Sequence, residues 1–130
     1  MLLALGIAVP VALGALAAFA IGASLGRQLA SGTCLPSDFP RYRSTTTTGL
    51  HVFQGTGGTS CDMTFQTADS AAEVTEFYQA RLDREDWRVL TANPTDGTMT
   101  FERRSNPKVL GRIQIYGRGS QSQFEIQVTS

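Results

Sequence analysis

The stretch from Ser70 to Val89, SAAEVTEFYQARLDREDWRV, contains the change of hydrophobic period that organises this chain. It begins with Ser70-Ala-Ala-Glu73, a capping-box pattern in which the serine and glutamate side chains satisfy backbone N–H groups that have no partner inside a helix. Behind it, apolar residues follow helical spacing, and charged residues fall mostly elsewhere on the helical wheel. The apolar positions are Val74, Phe77, Tyr78 and Leu82. The stretch therefore predicts an amphipathic helix from about 71 to 85.

On both sides of this helix, apolar and polar residues alternate with the period of half-buried strands. Before it, Cys61, Met63 and Phe65 alternate with polar residues. Strands are predicted at 49–54, 60–67, 87–91, 98–103, 112–116 and 123–129. The predicted core contains Phe77, Leu82, Trp87, Phe101, Ile115 and Phe124. One amphipathic helix between strand pairs predicts an α+β fold, with the helix packed across one face of a small antiparallel sheet.

Residues 2–26 are apolar and uncharged, and roughly 20 such residues are enough for a helix to cross a bilayer. A small residue or proline at every fourth position would form a stripe along that helix, where another helix backbone could approach closely in lipid. The positions predicted to pack are Gly6, Gly14, Ala18, Gly22 and Gly26, with Pro10 in the same series. The sequence thus predicts a single-pass transmembrane helix at 1–30, a linker at 31–48 and an extracytoplasmic α+β domain at 49–130.

Two other interpretations of the N-terminal segment remain open. Ala18-Phe19-Ala20 matches the cleavage site of a signal peptide, although no basic residue precedes Arg27. A lipoprotein anchor would require a small-residue box directly before a cysteine, and the residues before Cys34 are one position out of register. Arginines that follow the apolar segment favour a cytoplasmic domain, but a long translocated domain can override local charge. We therefore expect the C-terminal domain to be extracytoplasmic and the protein to reside in the cell membrane.

The chain has two cysteines, Cys34 and Cys61, and one histidine, His51. In an oxidising compartment the cysteines would form a disulfide that ties the linker to the domain. The alternative is two unrelated thiols in a cytosolic domain. The cysteines lack C-x-x-C spacing and the histidine has no second histidine to join, so the sequence predicts no metal site and no cofactor.

Charge and composition argue against several classes of function. The chain has 11 basic and 11 acidic residues, interspersed, which argues against a nucleic-acid partner. The serines have no histidine at a spacing suited to a Ser-His-Asp site, and we predict no catalytic residue and no enzyme. Gly55-x-Gly57-Gly58 lies between two predicted strands and indicates a hairpin turn, because a phosphate-binding loop is followed by a helix.

Charged residues near the predicted helix end and in the last strands fit surface roles. Asp83, Glu85 and Asp86 are interleaved with Arg81, Arg84 and Arg88, which indicates a solvated ion-pair surface rather than paired catalytic carboxylates. Four arginines of the later strands could line a surface for an anionic partner, or they could simply protect a sheet edge. These are Arg103, Arg104, Arg112 and Arg118.

The chain resembles small uncharacterised extracytoplasmic domains of bacterial lipoproteins and membrane-anchored proteins. The resemblance rests on Glu73-Val74-x-x-Phe77-Tyr78-x-x-x-Leu82-x-x-x-x-Trp87-x-Val89, after the opening Pro36-Ser37-Asp38-Phe39-Pro40. It covers most of residues 35–129 and implies a short helix that ends near a tryptophan, followed by a meander of strands. That group carries no established activity, and this chain departs from its lipoprotein members by lacking a proper lipobox cysteine.

These features together predict a non-catalytic, membrane-anchored accessory or structural subunit of a larger complex. Its partners would be other transmembrane subunits or copies of itself, with membrane lipid around the helix, and its outer domain would contact other proteins. The alternative is a pilin-like filament subunit with the apolar helix in the fibre core. The chain lacks the acidic residue near the start that is typical of bacterial pilins, which favours the first prediction.

Overall fold

The computed structural model of the protein describes residues 32–130. Within this range the elements in chain order are β1 Thr45–Gly55, β2 Gly58–Thr67, α1 Ala71–Arg81, β3 Trp87–Asn93, β4 Thr98–Arg103, β5 Leu110–Arg118 and β6 Gln121–Thr129. The strands form one six-stranded sheet in the order β1-β2-β6-β5-β4-β3, and every neighbouring pair is antiparallel. The predicted hairpin turn at 55–58 is confirmed, since Gly55 pairs with Gly58.

Helix α1 begins where the capping pattern places it and ends earlier than predicted. The Glu73 N–H donates to Ser70 Oγ at 3.3 Å, and the Leu82 N–H closes the last turn on the Tyr78 carbonyl at 2.9 Å. The chain then leaves the helix, because Glu85 adopts a positive φ of 55° and the Asp83 carboxylate accepts a hydrogen bond from the Val89 N–H. A positive φ is unfavourable for a residue with a side chain inside a right-handed helix, so residues 82–86 form a turn instead.

The core lies between one face of the sheet, here called the inner face, and a cover made of α1 and residues 34–42. Met63, Met99, Ile113 and Ile126 stand side by side on four neighbouring strands and are at most 2% exposed. Aromatic residues fill the space between the sheet and its cover. The buried members are Phe39, Tyr42, Tyr78, Trp87, Phe101 and Phe124. Of the predicted core, Phe77 is only half-buried, and the other five residues are buried.

The domain begins before the predicted boundary at residue 49. Cys34, Leu35, Phe39 and Tyr42 are buried, although they fall in the predicted linker at 31–48. The Phe39 ring lies 5.4 Å from that of Trp87 in an edge-on arrangement, with its centroid 5.2 Å from that of Phe101. Prolines on both sides of Phe39 indicated a linker, but the Phe39 N–H donates to the Pro36 carbonyl in a turn, and an irregular segment of this kind can pack without a ladder of hydrogen bonds.

The predicted fold class is wrong. The described residues form a predominantly β domain with a single helix of 11 residues. Every strand except β4 is longer than predicted, because polar or glycine-containing residues at its ends still pair with the neighbouring strand. Within residues 32–130, no helix has both the length and the apolar composition needed to span a bilayer. This finding contradicts the predicted single-pass architecture and cell-membrane localisation. The segment 1–30 and its packing positions lie outside the described residues; these positions are Gly6, Gly14, Ala18, Gly22 and Gly26.

Candidate functional site

The sheet face opposite the inner face, here called the outer face, is not covered by any described element. Its side chains come from alternate residues of the strands, and the register places them in rows across the sheet. One row runs from His51 through Asp62, Gln127 and Arg112 to Thr100. Every inner residue of β6 from 122 to 128 is buried, whereas the outer residues 123, 125 and 127 between them stay partly exposed. The outer face is therefore a polar surface in contact with solvent.

An apolar depression of about 360 Å³ interrupts this polar surface across the four neighbouring strands β3, β4, β5 and β6. We call it the outer-face cleft. Its lining residues are Leu90, Thr100, Phe101, Leu110, Gly111, Arg112, Gln127 and Thr129. Leu90 and Leu110 are 50% and 49% exposed, which is high for large aliphatic side chains. The cleft is the part of the outer face best suited to receive an apolar group.

Two local irregularities lie at the outer-face cleft. The β3–β4 register shifts between Val89 and Thr91, so Leu90 has no cross-strand partner and its side chain stays exposed. On β5, Gly111 pairs with Phe101 and Val128, which are both inner-face residues, and it lines the cleft with its backbone. A Cβ at this position would lie 2.1 Å from the Gln127 carbonyl oxygen and 2.6 Å from Phe101 Cζ. Sequence reasoning missed the site, because the unpaired Leu90 and the close approach at Gly111 can be recognised only from the register of neighbouring strands.

The charges around the cleft leave one cation available to a partner. Glu102, next to Leu110 in the register, forms a 3.8 Å ion pair with Arg88. Such an exposed pair contributes little to stability. Arg112 is exposed and forms no ion pair with any carboxylate of the described residues. Among the arginines suggested for an anionic partner, Arg112 and Arg118 are exposed and form no ion pair with a described carboxylate, and only Arg112 borders the cleft.

Arg103, on the inner face of the sheet, binds two carboxylates and has a structural role. Its guanidinium donates to both oxygens of Asp38 at 2.7 and 2.9 Å and to Asp86 Oδ2 at 2.8 Å. It also stacks 4.3 Å from the centre of the Trp87 ring. The hydrogen bond from Arg103 lowers the pKa of Asp38, and hydrogen bonds from the Ser105 hydroxyl and Arg103 lower the pKa of Asp86. Both groups are held as carboxylates, which makes them poor proton donors.

The acidic group predicted to pair with Arg81, Arg84 and Arg88 pairs with later residues instead. Asp86 binds Arg103, and Asp83 lies 3.5 Å from an Arg104 nitrogen. The Arg104 Nε–H also donates to the Trp87 carbonyl at 2.8 Å. The general interpretation as an ion-paired surface fits this arrangement. The predicted individual partners were wrong. The observed partners are Arg103 of β4 and Arg104, the residue after it, and the local sequence does not show that these residues lie beside the end of α1.

The remaining groups with potential chemistry do not assemble into a reactive centre within residues 32–130. Cys34 and Cys61 are bonded to each other, with Cα atoms 5.7 Å apart, and the described part of the chain has no free cysteine. His51 is exposed on β1 beside Asp62 of β2. No group of three histidine, cysteine or acidic residues in the described range could hold a metal ion.

Two larger depressions lie on the opposite side of the sheet, along α1. One of about 460 Å³ separates the helix from the β3–β4 turn and is lined by Glu76, Gln79 and Asp96 among others. The other, of about 690 Å³, has mixed charges from Arg41, Arg43, Glu73, Glu76 and Arg81. Neither is lined by large aliphatic side chains as exposed as Leu90 and Leu110, which distinguish the outer-face cleft.

Tyr42, at the edge of the second depression, is held by its neighbours. Its hydroxyl donates to Asp69 Oδ2 at 2.5 Å. Burial, together with this carboxylate, raises the pKa of Tyr42 to about 12. The phenol therefore stays protonated at neutral pH and serves as a hydrogen-bond donor that fixes residues 34–42 to the chain just before α1.

Comparison with known proteins places the domain in a family. A solved structure, CalU16 from Micromonospora echinospora, is similar with a TM-score of 0.42 and 11% identity, covering 68% of this chain and 70% of that one. No curated protein matches the sequence. Residues 44–129 match the family model described as START domain-like, from just before β1 to the end of β6. Because this match spans well over half of the chain and all six strands, the chain belongs to the START domain-like family.

Proposed function

We propose that the domain is a non-catalytic protein-binding module, an accessory or structural subunit that contacts a partner protein through its outer face. One observation carries the proposal: no described element covers the outer face, and two half-exposed leucines flank a cleft beside Arg112, which forms no ion pair with a described carboxylate. Exposed apolar groups with a polar surround are typical of contact sites between proteins.

The described chemistry supports binding rather than catalysis. Catalytic sites bring titratable groups into mutual reach within a cleft. Here the two aspartates with lowered pKa values are already occupied by Arg103, and the two thiols are consumed by the disulfide. The outer-face cleft contains no carboxylate, histidine or cysteine. Its chemistry is that of apolar contact with one positive charge.

The partner should therefore present an apolar side chain next to a carboxylate. The apolar group would lie between Leu90 and Leu110, and the carboxylate would face Arg112. Full burial of a leucine contributes on the order of 1.5–3 kcal/mol, so completing the burial of each half-exposed leucine would contribute roughly half of that. The charge pair at the rim would affect the association rate more than the affinity.

Site-specific photocrosslinking in the producing cell tests the proposal. We would place p-benzoylphenylalanine at Leu110 in one variant and at Tyr116 in another, since Tyr116 is 51% exposed on the same face but does not line the cleft. We expect the Leu110 variant to crosslink to one specific protein and the Tyr116 variant to crosslink to it weakly or not at all. Leu110→Lys should then weaken binding of that purified protein about tenfold or more, equivalent to about 1.4 kcal/mol.

Two results would contradict this proposal. One is crosslinking of the same protein with equal yield from both positions, because contact would then not depend on the cleft. The other is an unchanged affinity of the Leu110→Lys variant. The pilin-like alternative and the resemblance to lipoprotein-like domains stay predictions, and the former depends on residues 1–30, outside the described range.

A further inference from the structure

The two edges of the sheet differ in how well they are protected against pairing. The edge strand β3 has seven residues, contains Arg88 and is interrupted by the irregularity at Leu90. The other edge strand, β1, has 11 residues, TTTTGLHVFQG, without a proline or a Lys, Arg, Asp or Glu. Folded proteins usually protect long edge strands with charges, prolines or bulges, and an unprotected one can pair with another strand. Residues 49–55 of β1 have none of these protections.

The backbone groups that β1 directs outward can be identified. Thr59 exchanges both of its backbone hydrogen bonds with Ser130, each at 2.9 Å, so its cross-strand neighbour Gln54 is not bonded to it. In an antiparallel ladder, bonded and non-bonded pairs alternate. The N–H and C=O groups of Leu50, Val52 and Gln54 therefore point away from β2. No described residue pairs with them, since β1 is the last strand of the sheet.

We propose that β1 pairs antiparallel with β1 of a second copy, with the twofold axis at His51. Leu50 of each copy then lies opposite Val52 of the other, and both are half-buried apolar residues on the inner face. Phe53, which is 65% exposed, lies opposite Gly49 of the second copy on the outer face. The glycine leaves room for the ring, an arrangement that protects a glycine in a sheet. The strand is thus complementary to itself about this axis.

Neighbouring registers fit less well. An axis at Leu50 would set Val52 opposite Thr48, where the β1–β2 register shifts. An axis at Val52 would set Leu50 opposite the exposed amide of Gln54. An axis between two residues would pair inner-face side chains with outer-face ones, because side chains alternate along a strand. The axis at His51 also places Asp62 beside each imidazole on the outer face, and no like-charged carboxylates meet.

Cysteine crosslinking of the full chain tests both the pairing and its register. At His51 the two copies would form a non-hydrogen-bonded pair with Cα atoms about 4.5 Å apart, within the range of a disulfide. His51→Cys should therefore give a disulfide-linked dimer of twice the 14.0 kDa chain mass under mild oxidation. Phe53→Cys is the matched control on the same strand and face. Its two thiols would be about four residues apart along the strand, roughly 14 Å, and should not crosslink.

The outcomes separate this proposal from the contact proposed for the outer-face cleft, because the cleft is formed by β3, β4, β5 and β6, and β1 lies at the opposite edge of the sheet from β3. A His51→Cys chain that stays monomeric on non-reducing electrophoresis, or equal crosslinking of both variants, overturns the β1 pairing. Val52→Lys should abolish the crosslinked dimer in the His51→Cys background, because it places a charge in the paired edge. Leu110→Lys should leave that dimer unchanged. Retention of the dimer by Val52→Lys would likewise overturn the proposal.

Discussion

Gly111→Ala should destabilise the domain strongly, although it adds only one methyl group. The added Cβ would lie 2.1 Å from the Gln127 carbonyl oxygen, whereas real Cβ contacts below 3.0 Å essentially never occur, so a gap of 3.0 − 2.1 = 0.9 Å must open. The obstacle is backbone of the adjacent strand β6, which cannot rotate away as a side chain could. The second obstacle, Phe101 Cζ at 2.6 Å, belongs to a ring that is 0% exposed and has little space to move.

The magnitude follows from what the displacement breaks. Moving β5 from β6 by about 0.9 Å would lengthen the local backbone hydrogen bonds beyond their normal range, and each lost bond costs roughly 0.5–1.5 kcal/mol. Forcing extra volume into a packed core costs typically 1–3 kcal/mol. We expect a loss of about 2–4 kcal/mol in the free energy of unfolding, which lowers Tm by at least about 8 °C in a domain of this size.

Gly55→Ala is the matched control for this measurement. Gly55 is also a glycine in a strand of the same sheet, but a Cβ there would meet nothing within 4 Å. Its unfolding free energy should stay within about 0.5 kcal/mol of the wild-type value. Chemical denaturation followed by circular dichroism would compare the three proteins. Equal stability of the two alanine variants would refute the argument that β5 and β6 approach too closely for a side chain at 111.

Two further predictions concern the residues that hold the cover on the inner face. Cys34→Ser, or reduction of the disulfide, should lower the unfolding free energy by roughly 3 kcal/mol, since the bond closes a loop with a sequence separation of 27; unchanged denaturation midpoints with and without reductant would contradict this. Arg103→Met should destabilise the domain at neutral pH, and the difference from wild type should shrink as the pH falls below 4. The folded-state pKa values of Asp38 and Asp86 are lowered, so their contribution is present above the unfolded-state pKa and is lost as pH falls through the folded-state values. A difference that is independent of pH between 3 and 7 would argue against a stabilising role for the ion pairs of Arg103 with Asp38 and Asp86.

The elements with local signals could be predicted from the sequence. Ser70 and Glu73 predict the start of α1. The alternation of apolar and polar residues around Met63 and Ile126 predicts strands whose apolar residues face one side. The end of α1 could not be predicted, because it depends on the turn around Glu85 and on the hydrogen bond between Asp83 and the β3 backbone. The wrong fold class arose because the predicted strands were too short and the predicted helix was too long.

The candidate site could not be predicted, for a related reason. The outer-face cleft borders Leu90, which has no cross-strand partner, and Gly111, against which the Phe101 ring packs, and both facts belong to the register of neighbouring strands. The ion pair of Arg103 likewise joins it to Asp38, 65 residues earlier in the chain. Local periodicity places each residue on a strand and a face. It does not say which strands are neighbours, and both features depend on that.

The two faces of the sheet differ in how far the described elements cover them. Helix α1, with 11 residues, is about 16 Å long, whereas six strands spaced by about 4.8 Å make the sheet about 24 Å wide. One helix cannot cover that width, so residues 34–42 complete the cover. The disulfide holds this segment to β2, and the bond from Arg103 to Asp38 holds it to β4. The inner-face residues are therefore buried under this cover and stabilise the fold. No element within residues 32–130 covers the outer face, so Leu90, Leu110 and Arg112 stay exposed there, and this exposure is the basis of the proposed contact with another protein.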